Sequence, residues 1–230
     1  MLIDQKYVFI TGTDTCVGKT IFTSLLALLY QEEGKKVAIS KPIVTGLPND
    51  IDLLRELTGN KVQVFNTYSF SLPGAPSVAA KHENRIIDTG KIISDIRKLE
   101  KEYDHVIVEG IGGIAVPVVE TCHGKFLLIA DLIKDLNYPV IIVSRPTLGT
   151  INHTILTIEF AKQKGLNILG FVISGYDENT NDPVVKVAPD EISNITNIRC
   201  LMKVPFVEDI SYKNLRQVAS KTVLPLPVLD

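Results

Sequence analysis

TGTDTCVGKTIFTSLLALLYQEEG, residues 11–34, follows the apolar run YVFI (7–10) and sets two glycines, four threonines and a lysine between a strand and a helix-period segment. Small residues let a backbone pass close to a ligand. The N–H groups of such a turn, with the free N–H groups of the first helical turn, converge on an anion. Lys19 adds a point charge suited to β- and γ-phosphates, and the Thr20 hydroxyl is a ligand for Mg²⁺. The turn reads as a phosphate cradle. Its spacing departs from the common G-x-x-x-x-G-K-[ST] pattern, because five residues separate Gly12 from Gly18 and Thr13 stands at the place of the first glycine.

Outward from this turn, apolar runs of strand length at 7–10, 37–40, 105–108, 140–144, 168–173 and 200–204 alternate with helix-period segments at 18–33, 51–58, 88–101, 126–136, 150–164 and 188–195. Alternation of this kind gives a parallel sheet, and continuous Val/Ile runs are expected where helices cover both faces. The fold class expected is α/β, one P-loop domain over residues 1–230. Gly34 and Gly165 fall where helix C-caps belong. The stretch 60–87, with LPGAPS, reads as a loop with short helices over the sheet. Residues 177–190, rich in Asn and Asp with two prolines, read as a mobile surface loop, and the prolines of VLPLPVLD (223–230) disfavour a helix.

Bulk properties narrow the function. With 24 basic and 26 acidic side chains the net charge is −2, so the chain lacks the basic excess that neutralises a nucleic-acid backbone. Cys16, Cys122 and Cys200 are odd in number and lack CxxC spacing, which argues against a disulfide framework or structural zinc and for reduced thiols in the cytosol. The N-terminal apolar run is too short for a signal sequence, and no segment reaches the roughly 18 apolar residues of a membrane span. A soluble, cytoplasmic protein with neither nucleic acid nor membrane as partner is expected.

A nucleotide site needs carboxylates, because Mg²⁺ takes oxygen ligands and keeps several waters. Glu109 ends the run HVIV (105–108) and opens EGIGG, at the carboxyl end of a central strand, where open α/β sheets bind ligands. The competing reading is a helix cap or a solvated strand end. Asp50 and Asp52 begin a helical segment, where either alone reads as a cap. Lys41 ends the second strand in SKPIVTG. A strand-end lysine is ordinarily solvated, but one facing a phosphate cradle stabilises charge that develops in phosphoryl transfer.

Taken together, GTDTCVGKT (12–20), KPIVTG (41–46), VEGIGG followed by VP (108–117) and PVIIVSRPTLGTINHTILT (139–157) resemble the dethiobiotin synthetase family, in order along residues 6–209. GTDTxVGKT with its five-residue gap is that family's own spacing. The resemblance implies a cytosolic homodimer that converts 7,8-diaminononanoate, carbon dioxide and Mg·ATP into dethiobiotin, ADP and phosphate. One substrate amine captures CO₂ as a carbamate, the carbamate oxygen takes the γ-phosphoryl group, and the second amine attacks the activated carbonyl and expels phosphate. By correspondence with the family, Lys19, Lys41 and Thr15 are catalytic, and Thr15, Lys41 and Thr45 position the carbamate or diamine. Leu148, Gly149, Thr150 and Asn152 would reach across the dimer interface to the substrate carboxylate. Thr20, Asp50 and Glu109 would surround Mg²⁺, with Asp50 preferred to Asp52 on its register with Leu54. The nucleotide would lie against Thr13, Asp14, Cys16, Val17, Gly18, Lys19 and Thr20, against Glu109, Gly110, Ile111 and Gly112, and against Ser174, Gly175, Pro205, Phe206 and Val207.

Two positions depart from the family pattern. Ser174 stands where Asn is common and offers one rotatable hydroxyl in place of an amide's donor and acceptor, which leaves the base preference open. Cys16 stands where a glutamate is common and reads as a buried small residue in preference to a reactive thiol. Partition-type ATPases resemble the loop but carry a further lysine where Asp14 stands, and amidotransferase-type cobyrinate synthases append a glutaminase domain for which 230 residues leave no room. The alternative is a non-catalytic nucleotide-binding regulator of those types. Lys41, Thr45 and Glu109 argue against it, since phosphate binding alone needs only the turn.

Overall fold

The computed structural model describes residues 5–47 and 49–222. Its elements in chain order are β1 (Tyr7–Gly12), α1 (Lys19–Glu32), β2 (Val37–Ser40), β3 (Ile43–Thr45), α2 (Asp50–Leu57), β4 (Gln63–Phe65), β5 (Tyr68–Phe70), α3 (Pro76–His82), α4 (Thr89–Leu99) and β6 (His105–Glu109). There follow β7 (Pro117–Glu120), β8 (Phe126–Leu128), α5 (Ile129–Leu136), β9 (Val140–Ser144), α6 (Thr150–Gln163), β10 (Ile168–Tyr176), α7 (Pro183–Thr196), β11 (Cys200–Pro205) and α8 (Tyr212–Lys221).

Seven strands form one parallel sheet in the order β11-β10-β9-β1-β6-β2-β4. Phe9 of β1 stands opposite Val108 on one side and Val140 on the other. Side chains alternate across a strand, so Val8 and Ile10 pack with Phe22, Leu25 and Leu26 of α1, while Phe9 joins Ile92, Leu132 and Ile158 on the opposite face. Helices thus cover both faces, as the unbroken VFI run requires. Each fully buried side chain of this kind contributes about 2 kcal/mol. From β1 the chain runs to β2 on one side, and after β6 it crosses to β9 on the other. The connections diverge at the carboxyl end of β1, and the crevice opened there is where sheets of this type hold ligands.

The six strands expected from apolar runs are β1, β2, β6, β9, β10 and β11. Other expectations need correction. Residues 126–128 pair antiparallel with β7 and are not helical; α5 starts only at Ile129, where the Asp131 carboxylate accepts the Leu128 N–H at 2.8 Å. The surface loop expected over 177–190 ends at Asp182, which caps α7 by accepting the Val184 N–H at 2.8 Å, with Pro183 in the first helical position. A proline there loses no helical hydrogen bond. The stretch 60–87 contains β4 and β5 as well as α3, and α8, unforeseen, buries Leu215 and Ala219 on the α1 face of the sheet. Residues 223–230 lie outside the described residues. Among the described residues no helix is long and apolar enough to cross a membrane.

Candidate active site

The turn after β1 is fixed by its neighbours. The Thr13 N–H donates to the Val143 carbonyl of β9 at 2.9 Å, and a Cβ on Gly12 would come within 2.8 Å of Val17 Cγ2. Gly18 caps α1 with φ +94°, no side chain caps the helix, and its first turn carries no acidic residue. The amides of that turn lack intrahelical acceptors, and the helix dipole adds positive potential at the same end. Asp14 does not line the cavity over this turn. Its carboxylate accepts the Thr15 N–H at 2.7 Å and pairs with Arg145 at 2.7 Å, while its main-chain carbonyl accepts from Lys19 Nζ at 2.8 Å. The Thr15 N–H and the Arg145 guanidinium hold the Asp14 carboxyl below its usual value.

Burial, reinforced by the positive charge of Lys41, pulls Lys19 down to about 8. A polyphosphate binds the ammonium form, so nucleotide binding above that pH takes up a proton. ADP affinity should therefore change little just below pH 8 and weaken as the pH rises past it, by up to about tenfold per unit. Calorimetry across this range reads the slope, which Lys19→Met should flatten. A level wild-type profile well above pH 8 would contradict the assignment of Lys19 to the phosphates.

Beneath the cradle lies a charged cluster. Glu109, fully buried at the end of β6, accepts from Thr20 Oγ1 at 2.9 Å and from Lys41 Nζ at 2.7 Å. The same Nζ lies 2.6 Å from Asp50 Oδ2 and donates to the Gly110 carbonyl at 3.1 Å. Burial alone would discharge Lys41, but the Glu109 and Asp50 carboxylates outweigh it and raise its pKa. Asp50 is free for this because Asn49 caps α2, accepting the N–H groups of Ile51 and Asp52 at 3.0 and 3.2 Å. Asp52 pairs with Arg55 at the surface. Geometry thus separates the two aspartates that sequence left close.

A cavity of about 600 Å³ opens over this cluster. Thr15, Cys16, Gly18, Lys19 and Thr20 of the turn line it, with Thr45, Asp50, Ile111 and Gly112. Thr45 is held by its hydroxyl's bond to the Gly74 carbonyl at 2.8 Å. Cys16 is exposed, in a left-handed conformation at φ 54°, which corrects its reading as a buried small residue. Pro73, Gly74 and Ala75 also form wall, as do Val44, Leu53 and Val116. Sequence reading missed these, although the turn residues of LPGAPS marked where the chain folds back over the rim. Glu109, Gly110 and Lys41 lie under the cavity and not on its surface. Ser174 packs on Gly18, whose Cβ would fall 2.2 Å from Ser174 Oγ; Val17 is buried and Gly175 follows Ser174 with φ +81°. Leu148, Gly149, Thr150 and Asn152 are outside this cavity; Leu148 is 86% exposed, whereas Thr150 is buried. Phe206 and Val207 line a separate depression of about 300 Å³ with α8, and Pro205 ends β11.

The donors suit Mg²⁺. Thr20, Asp50 and Glu109 offer hard oxygens only, and Glu109 Oε2 is a buried acceptor without a hydrogen-bond partner. Among the described residues no group of three or more His, Cys, Asp or Glu converges.

Comparison with known proteins gives the family and the fold. A family model described as an AAA domain matches residues 6–214. A protein of Thermodesulfovibrio yellowstonii named ATP-dependent dethiobiotin synthetase BioD is 36% identical over 225 residues, covering 93% of this chain and 94% of the relative. One of the same name from Methanococcus vannielii is 39% identical over 196 residues, covering 84% and 90%. Among solved structures, the cell division ATPase MinD of Pyrococcus furiosus superposes with a TM-score of 0.58 at 15% identity, covering 94% of this chain and 98% of its own. A ParA family ATPase of Chlorobium tepidum gives 0.57 at 16%, covering 95% and 93%. These last two establish likeness of fold.

Proposed function

This chain belongs to the ATP-dependent dethiobiotin synthetase family, and we propose how its pocket performs the ATP-dependent formation of dethiobiotin. The observation that carries the reading is that one cavity joins a phosphate-binding turn to an apolar wall of Val44, Leu53, Pro73 and Val116, which suits the aliphatic chain of 7,8-diaminononanoate. Oriented in this way, one amine of the diamine takes up CO₂ and loses a proton to give the carbamate. A carbamate oxygen attacks the γ-phosphorus and ADP departs; the second amine attacks the carbamoyl carbon, phosphate leaves with the electron pair of the C–O bond, and the amine gives up a proton as the ring closes.

Each step gathers negative charge. The amides of α1 and Lys19 grip the polyphosphate, Lys41 adds its positive charge from beneath the carbamate and the transferring phosphoryl group, and Thr15 and Thr45 orient the carbamate or diamine. Thr20, Asp50 and Glu109 would hold Mg²⁺, which supplies charge neutralisation for the β- and γ-phosphates. Gly110, Ile111 and Gly112 would flank the nucleotide phosphates, and Ser174, Gly175, Pro205, Phe206 and Val207 its nucleoside. We assign the protein to the cytoplasm as a homodimer, in which the segment 148–152 at the start of α6 would approach the substrate carboxylate in a partner's site. A nucleotide-binding regulator would need neither the apolar wall nor a buried lysine between two carboxylates. Purified protein should release phosphate from ATP only when the diamine and bicarbonate are both present. Equal release without the diamine would contradict the reading.

A further inference from the structure

We infer that Lys41 is an internal counter-ion that refuses a bare divalent cation, so that the metal enters this site only as its nucleotide complex. The inference deepens the proposed function and rests on its assignment of the metal oxygens. Lys41 Nζ lies 2.6 Å from Asp50 Oδ2 and 2.7 Å from Glu109 Oε1, with a side chain 1% exposed. Glu109 Oε1 also accepts the Thr20 hydroxyl at 2.9 Å. One ammonium therefore already holds the oxygens that would otherwise attract a cation.

The charges close the argument. Lys19 and Lys41 cancel Asp50 and Glu109, so a bare divalent ion would enter a neutral and largely buried cluster beside two ammonium groups. Repulsion at such range is screened far less than in water. A metal–nucleotide complex instead arrives with net negative charge, which both lysines attract, and Glu109 Oε2, buried and without a hydrogen-bond partner, has no competing donor to give up. Lys41 thus discriminates between two forms of the same ion. Removal of its ammonium leaves two carboxylates against Lys19 alone, a net negative cluster that should accept the ion unaided.

Mn²⁺ reports on this directly, because its free form is counted by electron paramagnetic resonance. Wild type and Lys41→Met are titrated with Mn²⁺, each with and without ADP, and with no diamine or bicarbonate. Wild type should bind Mn²⁺ alone at least about tenfold more weakly than with ADP, and Lys41→Met should bind Mn²⁺ alone at least about tenfold more tightly than wild type does. Equal affinities of the two proteins for Mn²⁺ alone, or wild-type binding as tight without ADP as with it, would overturn the inference. Where Lys41→Met does not fold, thermal unfolding of the wild type decides: Mn²⁺ alone should leave its Tm unmoved, and Mn²⁺ with ADP should raise it above the value with ADP alone. A rise with Mn²⁺ alone overturns the inference. The ring-closing activity is absent from every arm, so a failure here leaves the proposed reaction standing, and the reverse also holds.

Discussion

Lys41→Ala is expected to lower diamine-dependent phosphate release by about a hundredfold or more, the scale on which a preorganised charge at a reacting group acts. It should also cost about 3 kcal/mol of stability, because Glu109 would be left buried without the ammonium 2.7 Å away. Asp50, 45% exposed, contributes less through water screening. The two losses can be told apart: denaturant titration reads the second, and activity at a temperature where the variant is folded reads the first. Lys41→Arg should not restore turnover, since a planar fork does not occupy the place of a compact ammonium enclosed by Asp50, Glu109 and the Gly110 carbonyl. A folded Lys41→Ala protein with turnover within about threefold of wild type would remove Lys41 from the chemistry.

Gly18→Ala should abolish measurable ADP binding while the sheet persists. Two costs coincide at this residue. Its φ of +94° is unfavourable for any residue with a Cβ, and the added carbon would lie 2.2 Å from Ser174 Oγ and 2.7 Å from its Cβ. The start of α1 must move, and the amides that face the cavity move with it. Together the strain and the overlap should cost about 2–4 kcal/mol. Adding Ser174→Gly removes the overlap and leaves the backbone strain, so the double variant should recover part of the stability. Gly175, with φ +81° but nothing near its Cβ, provides the contrast, since alanine there adds strain alone. Wild-type ADP affinity in Gly18→Ala would show that the turn does not hold the phosphates.

The sequence made the sheet legible where strands are buried on both faces, as in VFI of β1 and VIIV of β9, since only a two-sided cover tolerates such runs. It concealed β3, β4, β5 and β8, three-residue strands too short to carry a period. Asp182 and Pro183 were a helix start, although the Asn and Asp around them looked like loop. At the site, the turn announced itself through residue type and spacing, and Glu109 through its place at a strand end. The state of Lys41 was not legible: its burial between two carboxylates depends on Asn49 taking over the cap of α2, a contest among neighbouring polar side chains that spacing does not resolve. The apolar wall likewise joins β3, α2 and the turn at 73–75, segments distant in the chain that meet only once the rim has folded.

The claim that this pocket closes a ring on carbon dioxide is tested most directly by following the carbon. With ATP, the diamine and ¹³C-bicarbonate, mass spectrometry should find dethiobiotin one mass unit heavier than from unlabelled bicarbonate, one molecule for each phosphate released. Phosphate release that proceeds without labelled product, or product that carries no label, would contradict the account.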